Sequence, residues 1–93
     1  MAISSEALLE STTFPQRIRT TAELGELVRQ MRRSQGLIQA DLAGLAGSGN
    51  RFVVDLERGK PTLQIQRVLD MLDLLGLEVT VRPKGSGHGS RDI

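Results

Sequence analysis

The chain contains no cysteine, no tryptophan and no tyrosine, and only two phenylalanines and one histidine. Without cysteine there can be no disulfide and no thiolate metal ligand, which suits a cytoplasmic setting. With so few aromatic rings, aliphatic side chains must supply nearly all of the burial. No apolar run approaches the roughly 20 residues of a membrane span, and the N-terminus lacks a basic-then-apolar signal pattern. Excess charge is missing too: the formal net charge is +1. Any attraction to nucleic acid must therefore come from local placement of arginine and lysine. No paired-carboxylate, Cys/His or Ser/His constellation shares one element, and 93 residues leave little room for a pocket. The expectation is a single small domain with tails that is not an enzyme and carries no metal and no cofactor.

What is present centres on Gln39–Lys60, QADLAGLAGSGNRFVVDLERGK. Its first part, Gln39–Ala46, sets Leu42, Ala43 and Ala46 at helical spacing, and Asn50–Arg58 sets Val53 and Leu56 on one face. Gly47 stands where the first segment must stop, because a left-handed residue closes a helix without a Cβ penalty. Ala43 is small enough for a second helix to cross it closely. Two short helices, a tight turn and a small residue at the crossing describe a helix-turn-helix. The glycines of the turn do not form a nucleotide cradle, since neither GxGxxG after a strand nor GxxxxGK[ST] is present.

Around that unit, Thr20 and Glu23 match a capping box that opens a helix. Leu24, Leu27, Val28 and Met31 form its core stripe, and it ends at Gly36. The segment Pro61–Leu75 reads as a longer helix with Ile65, Val68, Leu69 and Leu72 in one stripe and Met71, Leu74 and Leu75 widening it. So broad an apolar surface is expected to cover a partner. After Gly76, Leu77-Glu-Val-Thr-Val81 alternates as a strand does. The chain holds no strand of equal quality to pair with it, so pairing with the same strand of a second subunit across a two-fold axis is expected. The alternative partner is Arg17-Ile18-Arg19, which could instead serve as a basic arm. Residues 1–19 are expected to be a flexible leader, 20–82 the DNA-binding and dimerisation domain, and 83–93 a mobile Gly/Ser-rich tail in which His88 stands alone.

Arg32-Arg33, Gly36-Leu37-Ile38-Gln39, Leu42-Ala43, Gly47 and Leu56-Glu57-Arg58-Gly59-Lys60 together resemble the Xre/Cro-type helix-turn-helix family over Leu24–Leu77. The run ERGKPT followed by VLDMLDLLGLEVTV most resembles the HipB-like antitoxins. The resemblance implies an all-α, lambda-repressor-like domain with a C-terminal β-strand shared across a homodimer. It implies that Arg32 pairs with Glu57 and that Gln39 contacts the DNA backbone. Where the family usually has Thr or Ser before that glutamine, this chain has Ile38, which cannot cap the helix and should weaken its start by about 0.5–2 kcal/mol. Gly49 stands where the family usually has a capping Ser or Thr.

In a helix-turn-helix the second helix reads bases from its first residues. That selects Asn50 for adenine, Arg51 for guanine, Val54 for a thymine methyl, and Asp55 either for a cytosine amine or to orient Arg51 or Arg58. Gln39, Ser48, Arg58 and Lys60 are the expected phosphate contacts. Met71, Leu74, Leu75, Leu77, Val79 and Val81 are the expected dimer face. Double-stranded operator DNA, a second copy of the chain and, by resemblance, a HipA-type serine/threonine kinase toxin are the expected partners. The function these imply is autoregulation by an antitoxin repressor located in the cytoplasm at the nucleoid. A stand-alone Xre-type regulator and a protein-interaction module are the alternatives.

Overall fold

The computed structural model describes residues 13–85. Four helices follow in order: α1 Thr21–Ser34, α2 Gln39–Ala46, α3 Asn50–Glu57 and α4 Ile65–Leu74. Among the described residues there is no strand. Residues 1–12 of the expected leader and residues 86–93 of the expected tail, His88 included, lie outside them.

α1 begins on a complete capping box. Thr20 Oγ1 accepts from Glu23 N at 3.1 Å, and Glu23 Oε1 accepts from Thr20 N at 3.2 Å. The same carboxylate accepts from Arg19 N at 2.6 Å, which anchors the chain just ahead of the helix. α2 has no such N-cap, since Ile38 makes no side-chain bond. The helix recovers half of the reciprocal arrangement from Asp41, whose Oδ2 accepts from Ile38 N at 3.0 Å. α2 closes at Gly47, in the left-handed region at φ 65°, with Ser48 N donating to Ala43 O at 2.9 Å.

The core joins Leu27, Val28 and Met31 of α1, Leu42 and Ala43 of α2, Val53 and Leu56 of α3, and Val68, Met71, Leu72 and Leu75 from α4 and its cap. Leu24, Phe52, Leu63 and Leu77 pack against it partly buried. α1 crosses α3 at Gly25, where a Cβ would lie 2.7 Å from Glu57 O and closer still to Leu56 O. Only a glycine lets the two backbones approach so nearly.

α4 departs from expectation in two ways. It starts at Ile65 rather than Pro61, because residues 61–63 form a turn and Gln64 takes the N-cap position in extended conformation. Its core stripe is Val68, Met71, Leu72 and Leu75, while Ile65 is 74% exposed and Leu69 also faces out. Met71 and Leu75, expected on a dimer face, are thus core residues. The helices packed beneath α4 bury the stripe three residues further along than the one the pattern suggested. Leu77 N donates to Leu72 O, and the chain then runs on with Val79 and Val81 exposed. Arg17-Ile18-Arg19 is likewise exposed and does not pair with it inside the chain.

Candidate nucleic-acid interface

α3 is amphipathic over two turns. Val53 and Leu56 are buried against α1 and α2, so Asn50 and Arg51 are turned outward at its N-terminal end. Phe52, on the flank, is partly buried under the Arg67 guanidinium of α4, 4.5 Å from the ring centroid. That cation–π contact helps set α4 against α3. Val54 is half-buried, which leaves a limited apolar edge beside Arg51.

The inner end of α3 is held by a buried ion pair. Arg32 Nε donates to Glu57 Oε2 at 2.6 Å and Nη2 to Oε1 at 3.1 Å, a two-pronged geometry of the strong kind. Arg32 Nη1 donates to Leu37 O at 2.7 Å, so one guanidinium ties α1 to both the following turn and α3. Gln39 joins this network, with Nε2 donating to Glu57 Oε1 at 3.1 Å. The side chain expected on a phosphate is therefore half-buried on a carboxylate, and its position marks the N-terminus of α2 from the inside. Among the described residues no buried side-chain polar atom lacks a partner.

The outer end is a second, more exposed network. Arg51 Nε lies 3.2 Å from Asp55 Oδ1, and Lys60 Nζ lies 3.6 Å from Asp55 Oδ2. The Arg51 side chain is 79% exposed, whereas that of Asp55 is only 12% exposed. Of the two roles open to Asp55, this geometry favours orienting a cation, and the cations are Arg51 and Lys60 rather than Arg58. Arg58 caps α3 and is exposed beside Lys60. Ser48 Oγ bonds to Gly49 O in the turn just ahead of α3. Asn50, Arg51, Arg58 and Lys60 thus sit on solvent-facing positions of α3 and the loop that leaves it, backed by a rigid scaffold.

Three structural residues escaped the sequence reading. Gly25 was legible as a glycine inside a well-patterned helix, a signal of close backbone approach. Asp41, three residues after Ile38, was legible as the acidic half of a capping box. The seating of Arg67 on Phe52 carried no local signal, because the two residues belong to different helices.

Among the described residues no group of three His, Cys, Asp or Glu stands close enough to hold a metal, and no helix is long and apolar enough to cross a membrane. A family model described as a helix-turn-helix domain matches residues 23–84. The chain is 52% identical over 69 residues to the uncharacterized HTH-type transcriptional regulator y4mF of Sinorhizobium fredii, covering 74% of this chain and 91% of that protein. In structure it is similar to a chain of a HipA-HipB-O2-O3 complex, with a TM-score of 0.69 at 20% identity over 75% of this chain and 99% of that one. It is also similar to the restriction-modification controller protein C.AhdI from Aeromonas hydrophila, with a TM-score of 0.57 at 29% identity over 62% of this chain and 88% of that one.

Proposed function

This chain belongs to the Xre-like helix-turn-helix family of transcriptional regulators, and we propose that it is a dimeric repressor that reads a palindromic operator with α3 in the major groove. One observation carries this reading. α3 buries Val53 and Leu56 while holding Asn50 and Arg51 outward, with Arg58 and Lys60 beside them. Asn50 suits the N6/N7 edge of adenine and Arg51 the O6/N7 edge of guanine, with Val54 available to a thymine methyl. Arg58, Lys60, Ser48 in the turn ahead of α3 and the N-terminus of α2 at Gln39 then face phosphates, which fix register without reading sequence. Two copies would place two α3 helices about one DNA turn, or a multiple of it, apart.

The second copy docks through the surface that the single chain leaves apolar: Leu74, Leu77, Val79 and Val81, with Val79 54% and Val81 95% exposed. Pairing Leu77–Val81 with its two-fold mate would satisfy backbone groups that have no ladder among the described residues. Val79→Pro removes a ladder donor, so it should shift the solution mass from dimer to monomer. An unchanged dimer mass would remove the shared strand.

Within this reading we take the protein to be a HipB-like antitoxin whose partner is a HipA-type kinase; what supports it is the fold likeness to the HipB-containing complexes. The likeness to the controller protein C.AhdI favours a regulator that works without a toxin. Expression with the neighbouring genes, followed by pull-down and binding to the chain's own promoter fragment at two salt concentrations, separates the two. A co-eluting kinase that tightens a specific, salt-sensitive complex supports the antitoxin. Specific binding with no companion supports the stand-alone regulator. The absence of specific binding would overturn the DNA-reading proposal and leave an interaction module.

A further inference from the structure

The outer network on α3 points to a role for Asp55 other than base contact. Each of its carboxylate oxygens already faces a cation, Oδ1 toward Arg51 Nε and Oδ2 toward Lys60 Nζ. Its side chain is 12% exposed, whereas the two cations are 79% and 49% exposed. A group that reads a cytosine amine must offer a free lone pair at the groove surface, and this one is sheltered behind the residues it holds. The backbone reinforces the arrangement, since Lys60 N donates to Asp55 O at 3.0 Å and folds the loop after α3 back onto the same residue. Lys60 is thereby carried to within reach of a side chain on the reading helix.

We infer that Asp55 is a positioning residue that sets DNA specificity by holding Arg51 and Lys60 at a fixed separation while cancelling part of their charge. This rests on the proposal that α3 reads DNA. The contact with Arg51 is made through Nε, which leaves the terminal Nη pair for a purine edge. An arginine already held in place loses less freedom when it forms that fork. One carboxylate among two cations also brings the trio from +2 to +1. Nonspecific affinity comes from phosphate neutralisation, so lowering the local charge weakens binding to every sequence alike. Asp55 therefore raises the specificity ratio by holding Arg51 ready for the specific complex, while its charge lowers the affinity for every duplex.

The test is Asp55→Asn in the full chain, which keeps the shape of the side chain and removes its charge. Affinity is measured for the promoter fragment and for a scrambled duplex of equal length across a salt series. Side-chain ¹⁵N spectra of the free protein report the mobility of Arg51 Nε–H. The expected result is promoter affinity lower by about fivefold, the low end for one two-pronged base contact. Scrambled-duplex affinity should rise, with a salt slope steeper by about one phosphate contact. The Arg51 Nε–H signal should move to that of a mobile side chain. A loss confined to one base pair of the promoter, with the scrambled duplex unchanged, would make Asp55 a direct reader and overturn the inference. Equal weakening on both duplexes with a lowered melting temperature would reduce it to a structural residue. If the variant behaves as wild type on both duplexes, the clamp fails alone. If the wild-type chain does not distinguish promoter from scrambled DNA, the reading of α3 fails and the inference falls with it.

Discussion

Asp55 and Glu57 sit two residues apart on α3, each facing an arginine, yet they face opposite ways. Glu57 has a 4% exposed side chain and receives Arg32 on both oxygens, with Gln39 as a second partner. Asp55 receives Arg51 and Lys60, whose heads stand in solvent. The same chemistry is therefore spent differently. At low dielectric, Arg32–Glu57 is a tie between α1 and α3 that is costly to break from one side. In water, pairs such as Arg51–Asp55 contribute little to stability, typically about 0–1 kcal/mol, so their value lies in aiming a side chain. A helix of eight residues thus has one face that ties it to α1 and another that turns charged side chains to solvent.

The sharpest way to break this contrast is Arg32→Ala. It leaves Glu57 buried with only Gln39 as a side-chain partner and should cost about 3–5 kcal/mol in chemical denaturation. A loss below about 1 kcal/mol would show that the inner pair is no firmer than the outer one. Gly25→Ala attacks the same crossing through packing alone, because its Cβ meets the carbonyls of Leu56 and Glu57. It should cost about 1–3 kcal/mol, read from the denaturation midpoint. On the outer end, Arg51→Ala should leave that midpoint in place and weaken promoter binding by about 1–3 kcal/mol, relaxing preference at one base pair in a competition assay. Lys60→Ala should instead weaken binding to all sequences and flatten the salt dependence by about one contact. The smallest effect is a gain. Ile38→Ser adds the missing cap to α2 at a site that is 63% exposed, and should raise stability by about 0.5–1 kcal/mol. No gain would mean that Asp41 already supplies what the helix start needs.

These contrasts also mark how far the residues could be read in advance. The Thr20–Glu23 box, the stop at Gly47 and the outward placement of Asn50 and Arg51 rest on local rules, and the structure places each where those rules predict. The position of Gln39 at a helix start points to a phosphate, and nothing local foretells that its amide also reaches Glu57, eighteen residues away. The spacing alone leaves Asp55 between a base edge and an arginine, because Arg51 one turn earlier is visible in it while the return of Lys60 is not. Leu45 gave no warning that it would stand 63% exposed on a helix whose next neighbours on the core side are Leu42 and Ala43.

α4 shows where the boundary falls. Its residues fit two stripes with the same i, i+3, i+4, i+7 spacing: Ile65, Val68, Leu69 and Leu72, or Val68, Met71, Leu72 and Leu75. Periodicity establishes that a helix forms and that one side is apolar, because those are properties of neighbouring residues. It does not choose between two stripes that share Val68 and Leu72, since that depends on where α1, α2 and α3 have already placed their own side chains. The sequence by itself determined the helices, the cap that opens α1, the stop of α2 and the residues that α3 turns outward. Tertiary packing decided that Met71 and Leu75 complete the core while Ile65 and Leu69 are left at the surface. It also decided which cations each carboxylate of α3 holds, because burial and charge pairing depend on groups distant in the chain and brought together only by the fold.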